Sequence, residues 1–285
     1  MNEASLITPG KVNLYLEITG RRPDGYHELR TVFYPTPHLT DRVTVRFGGS
    51  GISVVCGTPG VPQDDSNLAV KAAKAFFAAS GESCPDLEIH IEKYLPVAGG
   101  MGGGSSDAGA VLRLLQQLTG NALSPELLSA AALSIGADVP FFLNPVASVG
   151  CGRGEILTPV DLPAELPLLI LPGIFPVSAA WAYRHWRDIP AASEISMEPL
   201  PELLRFGDYA AAGKCLRNDL APAVMRKFPL LQLLAEILRD SGGAPLMSGS
   251  GPTMFALYAD FAARDRAQDC LKHELEKYCM ISCKA

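Results

Sequence analysis

At 285 residues the chain is long enough for one large domain or two smaller ones with a buried core. With 48% apolar and 19% charged residues and a formal net charge of −6, it reads as a soluble globular protein and not as a general nucleic-acid binder. No apolar run approaches bilayer length, and Met1–Ser5 lacks the basic and apolar regions of a signal peptide. Seven cysteines, an odd number without C-x-x-C, fit free thiols in a reducing cytoplasm. Cys279 and Cys283 have no histidine partners at zinc spacing, so no metal centre is expected from them.

Val12, Leu14, Leu16 and Ile18 recur with period 2 and predict a first strand, with Lys11 and Asn13 at its start on the opposite face. Pro23-Asp24-Gly25 is turn chemistry, and Tyr26 and His27 follow it directly. Leu29–Tyr34, Val43–Phe47 and Ile52–Val55 predict further strands. The strong helix formers of Asn67–Ser80 predict a helix. Leu87-Glu88-Ile89-His90-Ile91 alternates as a half-buried strand, and Ala108, Val111, Leu112, Leu115 and Leu118 fall on one face of a helix.

Between that strand and that helix run Pro96, Val97, Ala98, Gly99, Gly100, Met101, Gly102, Gly103, Gly104, Ser105 and Ser106. The glycines expose backbone N–H groups, Ser105 or Ser106 can cap the helix, and the helix N-terminus adds partial positive charge. This is a phosphate cradle; a flexible linker would not be bracketed so tightly by a strand and an amphipathic helix. No Gly-Lys-Ser/Thr follows and no G-x-G-x-x-G occurs in this loop, so Walker A, Rossmann and protein-kinase loops are excluded. His27-Glu28 and His273-Glu274 begin like H-E-x-x-H, but Thr31 and Lys277 stand where the second histidine belongs.

Further on, Ser124-Pro125 predicts a helix start and Gly136 its end. Ala147–Leu157 predicts a hairpin around Cys151–Gly154. The proline-rich 162–167 stretch is the best domain boundary. Leu168–Leu171 and Met254–Tyr258 predict strands. Ala179–Trp186, Pro229–Arg239 and Ala262–Tyr278 predict helices, and Met247–Thr253 a second glycine turn. Strands and helices alternate irregularly, so the fold class is α+β. Lys11 alone also reads as an edge lysine facing water, and Asp138 as a turn aspartate bonded to its own backbone.

Three segments together resemble the galactokinase, homoserine kinase, mevalonate kinase and phosphomevalonate kinase (GHMP) superfamily: Pro9–Asn13, the Pro96–Ser106 loop with Asp107-Ala108, and Ser248–Thr253. Asp24–Leu29 and Gly136–Pro140 narrow the resemblance to its branch acting on a cytidine diphosphate derivative in isoprenoid precursor synthesis. Gly10 stands where the family usually has alanine, and Gly109 interrupts an alanine run after the loop.

The resemblance implies a two-domain GHMP kinase fold, residues 1–158 and 159–285, with the active site in the cleft between domains. It implies ATP on the glycine loop, with Mg²⁺ bridging phosphates near a loop serine. Lys11 and Asp138 would be catalytic, the aspartate accepting the acceptor's hydroxyl proton and the lysine orienting it and offsetting developing charge. Asn13, Tyr26, His27 and Tyr183 would bind substrate, the aromatics enclosing the base, and Asn67 and Lys93 would be weaker candidates for the adenine side. A monomer or weak homodimer in the cytoplasm is expected, without nucleic-acid or membrane partners. Two rivals are another kinase of the superfamily and a non-catalytic nucleotide-binding protein. Tyr26-His27 speaks against the first, since homoserine and mevalonate offer no base to stack. Retention of Lys11 and Asp138 speaks against the second.

Overall fold

The computed structural model describes residues 2–173, 175–188, 195–277 and 283–284. It divides into two compact units: Met1–Gly10, Thr40–Val97 and Gly102–Val146 form the first, and Lys11–Leu39, Ala98–Met101 and Ala147–Ala285 the second. Two long strands, Glu3–Arg21 and His27–Phe47, contribute residues to both units.

In the first unit, Arg42–Phe47 pair antiparallel with the strand Leu87–Glu92, which pairs in parallel with Ile52–Cys56. Leu87, Ile89 and Ile91 are buried and their neighbours are not, as period 2 requires. The helices Leu68–Ser80, Gly103–Leu118 and Pro125–Ile135 close a core in which Val43, Val45, Val54 and Ile89 meet Ala73, Phe76, Val111, Leu112 and Leu115. Asn67 and Ser124 cap the first and third of these helices by accepting from Ala69 N and Leu127 N. Gly136 closes the third in an extended conformation, φ 177°.

In the second unit, Thr31–Phe33 pair with Ser148–Gly150, and Ser148–Cys151 with Ile156–Pro159, which is the expected hairpin. Tyr15 and Leu16 run parallel to Arg217 and Asn218. A separate four-stranded sheet has the order Cys283–Lys284, Leu168–Leu171, Met254–Leu257, Ala244–Met247. Leu169, Leu171, Met254 and Ala256 share a core with Leu231, Leu234, Leu238, Ala267 and Leu271, drawn from the helices Pro229–Asp240 and Phe261–Lys277.

Three expectations change. The strands expected at Leu29–Tyr34 and Val43–Phe47 are one strand, His27–Phe47; Pro35 and Pro37 donate no ladder bonds, but their fixed φ suits extended chain. The first strand begins at Glu3, well before Val12, and residues 10–16 are buried without alternation. Short helices at Leu200–Arg205, Tyr209–Ala212 and Ala221–Lys227 were not expected, being too brief to show a helical period. The expected end of the last helix, Tyr278, lies with Cys279 outside the described residues. Among the described residues no helix is long and apolar enough to cross a membrane.

Candidate active site

Lys11 and Asn13 lie two residues apart on one strand, so their side chains share a face. Both are buried, at 4% and 2% exposure, so Lys11 is no edge lysine facing water. The Lys11 ammonium donates to Asn13 Oδ1 at 2.7 Å and lies 5.1 Å from the Phe33 ring centroid. Asn13 Nδ2 donates to Thr31 Oγ1 at 2.8 Å, whose hydroxyl donates to Tyr15 O at 2.6 Å. With its amide oriented by Thr31, Asn13 presents only its oxygen to Lys11, which fixes the ammonium's position.

In the same unit, Ala98–Met101 are fastened to this strand and to the second glycine turn. Lys11 N donates to Met101 O at 3.0 Å, Thr253 N to Gly99 O at 3.1 Å, and Ser248 Oγ to Gly100 O at 3.2 Å. Gly100 has φ 79°, and a Cβ there would stand 2.7 Å from both Ser248 O and Gly251 O, so only glycine fits. Ala98 is also left-handed, at φ 55°.

The rest of the glycine run opens the helix Gly103–Leu118 in the first unit. Its cap is Gly102, at φ 71°, and no side chain caps it; Ser105 and Ser106 sit inside the first turn instead. The expected serine cap is therefore replaced by a left-handed glycine. Ser106 N already bonds Gly102 O at 2.8 Å, while the preceding N–H groups of the first turn have no acceptor within the helix and suit an anion. Ser106 is buried: it donates to Pro9 O and accepts from Thr8 Oγ1, both at 2.7 Å. Ser105 is half-buried and Gly104 exposed. Pro96 and Val97 belong to the approach to this loop, Val97 exposed.

Under that first turn lies a buried ionic cluster. The Lys93 ammonium is 2.5 Å from Asp41 Oδ2 and 2.7 Å from Asp107 Oδ2. Asp41 Oδ1 accepts from Tyr94 N and Leu95 N at 2.6 and 2.8 Å, whereas Asp107 Oδ1 is buried with no hydrogen-bond partner. One ammonium cannot balance two desolvated carboxylates. Burial pushes the Asp107 carboxyl up to about 7, reinforced by Asp41 and opposed by Lys93. Lys93 therefore braces the loop from below. Asn67 is likewise occupied, accepting from Ala69 N and donating to Pro62 O.

Asp138, in the first unit, precedes the 3₁₀ turn Val139–Leu143 in a helical conformation, and its side chain does not cap that turn.

A third group of residues, in the second unit, is aromatic. His27 stacks on Tyr183 with ring centroids 5.4 Å apart and planes at 22°, and meets the edge of Trp186 at 6.0 Å. The Trp186 indole N–H donates to His27 Nε2 at 3.2 Å. Burial, aided by Arg21 and Arg187, holds His27 below its ordinary value. Tyr26 is 56% exposed and its ring carries the Arg153 guanidinium at 4.6 Å. Tyr183 thus joins His27, while Tyr26 is paired with Arg153.

Residues 67–144 match the family model described as GHMP kinases N terminal domain, and residues 199–277 that described as GHMP kinases C terminal. A 4-diphosphocytidyl-2-C-methyl-D-erythritol kinase of Synechococcus sp. (strain JA-2-3B'a(2-13)) is 38% identical, covering 97% of this chain and 92% of the relative. One from Geobacter metallireducens is 40% identical, covering 94% of each. The chain belongs to the 4-diphosphocytidyl-2-C-methyl-D-erythritol kinase branch of the GHMP kinases. A crystal structure of a 4-(cytidine 5'-diphospho)-2C-methyl-D-erythritol kinase superposes with a TM-score of 0.79 at 34% identity, covering 95% of this chain and 96% of that one. Homoserine kinase from Cytophaga hutchinsonii shares the fold, with a TM-score of 0.72 at 18% identity.

In this GHMP kinase the residues that sequence reasoning missed are Thr31, Asp41, Arg153 and Trp186, and the buried role of Asp107. Trp186 had a signal, since it lies three residues after Tyr183 and so on the same helical face. The others had none, because their partners are distant in sequence.

Proposed function

We propose that this kinase transfers the γ-phosphoryl group of ATP to the 2-hydroxyl of 4-diphosphocytidyl-2-C-methyl-D-erythritol, in the non-mevalonate route to isoprenoid precursors. The names of relatives at 38% and 40% identity support the substrate. The observation that carries the chemistry is the buried Lys11 ammonium, held at 2.7 Å by an oriented Asn13. A cation fixed in this way is what phosphoryl transfer demands, because its loose transition state is stabilised by positioning and charge.

Asp138 takes the proton of the 2-hydroxyl as its oxygen bonds to the γ-phosphorus and the bond to the β-phosphate oxygen breaks, releasing ADP. Lys11 offsets the charge on the transferring group. Ala98–Met101 and the first turn of the Gly103–Leu118 helix receive phosphate oxygens through backbone N–H groups. Bound Mg²⁺ would neutralise phosphate charge. Among the described residues no group of three histidine, cysteine or acidic side chains could hold a metal by itself, which fits an ion held mainly by phosphates and water. Ser105 is the serine suited to it, since the Ser106 hydroxyl is committed to Pro9 and Thr8. Tyr26, His27 and Tyr183 receive the cytosine.

We read residues 1–158 and 159–285 as the N- and C-terminal domains; the two family models fall on either side of that division. We also read the enzyme as a cytoplasmic monomer or weak homodimer without nucleic-acid or membrane partners; its net charge of −6 supports the absence of general nucleic-acid binding. The test is ADP release from ATP with and without the cytidine compound, with ³¹P and ¹³C NMR locating the new phosphate. Release that depends on the cytidine compound, with phosphate on C2, is expected; release indifferent to it, or phosphate elsewhere, overturns the proposal.

A further inference from the structure

We propose that Trp186 fixes the tautomer of His27 and thereby sets the enzyme's preference for cytosine over uracil. The inference rests on the reading above that His27 meets the edge of the base. An indole N–H can only donate, so the nitrogen it reaches at 3.2 Å, Nε2, must accept. A neutral imidazole carries one proton. With Nε2 accepting, that proton is on Nδ1, and Nδ1–H is what His27 offers a ligand. The stack on Tyr183 holds the ring plane, so the donor keeps its direction. The groups facing the ring favour the neutral form: Arg21 and Arg187 are cationic, and burial opposes charge.

The chemistry of the bases does the rest. Cytosine presents an acceptor at N3, which an Nδ1–H donor satisfies. Uracil carries a hydrogen at N3, so two donors would face each other. With the opposite tautomer, Nδ1 would accept and the preference would reverse. Trp186 need not touch the base; it is a positioning residue acting through His27.

The chain has five histidines, so long-range ¹H–¹⁵N correlation of the ¹⁵N-histidine-labelled enzyme resolves each ring; the His27 signals are those missing from His27→Gln. The expected pattern has the proton on Nδ1 in the parent. It should move to Nε2, the commoner form in water, in Trp186→Phe. In the same variant the ratio of kcat/KM for the cytidine compound to that for its uridine analogue should fall roughly tenfold, with the KM for ATP unchanged. If phenylalanine at 186 does not fold, the sulfur isostere 3-benzothienylalanine at Trp186 keeps the shape and removes the N–H. A parent His27 protonated on Nε2, or an unchanged ratio in a folded variant, overturns the inference. A parent enzyme that uses no cytidine compound overturns the proposed function instead, and with it this preference, while the spectrum still reports the tautomer.

Discussion

Gly103 lies directly over Lys93: a Cβ at position 103 would stand 2.9 Å from the lysine's Nζ. Gly103 has no left-handed φ, so its role is to leave room for the ammonium that Asp41 and Asp107 share. Gly104, one residue on, has only Leu68 Cδ1 at 3.5 Å beside it. The two glycines therefore separate stability from nucleotide binding. Gly103→Ala should destabilise the protein by about 1–3 kcal/mol through overpacking of the buried ion cluster. Gly104→Val should leave the fold intact, apart from the small cost of a β-branched residue in a helix, yet raise the KM for ATP and not that for the cytidine compound. Thermal melts and initial rates check both; equal loss of stability in the two variants would remove the distinction.

Asp107 gives stability a dependence on pH. Its carboxyl is raised by burial to about 7 from an ordinary value near 4. The native state therefore holds a proton that the unfolded chain has lost between those values. The associated stability is complete below about pH 4 and disappears as pH rises through about 7. Asp107→Asn, permanently neutral, should flatten the decline across this window by an amount on the order of a few kcal/mol. Urea denaturation of parent and variant at several pH values between 4 and 8 measures it, and parallel pH profiles would show that the proton resides elsewhere.

Asp138→Asn keeps the side chain's shape while removing the proton acceptor, and should lower kcat by on the order of a hundredfold or more, as loss of a general base does. Lys11→Ala should lower kcat while substrate KM values change little, since its charge acts on the transition state. It should also cost stability, because Asn13 Oδ1 loses its donor in a buried site. A variant that changed only KM would mark its residue as a binding group.

Tyr26→Ala and His27→Ala should raise the KM for the cytidine compound and spare that for ATP. Removing a stacked aromatic costs roughly 1–3 kcal/mol in base binding. His27→Ala should have the larger effect on the choice between cytidine and uridine substrates, since Tyr26 offers a face and no edge donor matched to N3. Competition between the two substrates in each variant measures this.

Gly109→Ala tests a departure from the family's alanine run. A Cβ there would lie 2.5 Å from Phe142 Cβ and 3.1 Å from the Phe142 backbone. Alanine is the better helix former, yet this substitution should destabilise by about 1–3 kcal/mol. A stabilised variant would mean that the 139–143 turn shifts easily.

The sequence by itself determined what depends on near neighbours along the chain. Leu87, Ile89 and Ile91 alternate because a strand has period 2, and Asn67 and Ser124 cap helices because their oxygens reach an N–H two or three residues ahead. The glycine run between strand and helix pointed to a phosphate-binding loop on the same local grounds. The tertiary structure decided everything that joins distant segments. It buried Lys11 on Asn13, oriented Asn13 by Thr31, and set Lys93 between Asp41 and Asp107. It laid Trp186 on His27, 159 residues away. No period or spacing encodes such pairs, because which charge meets which carboxylate, and which nitrogen of a histidine keeps its proton, is fixed only when burial removes water and leaves each polar group to find a partner in the fold.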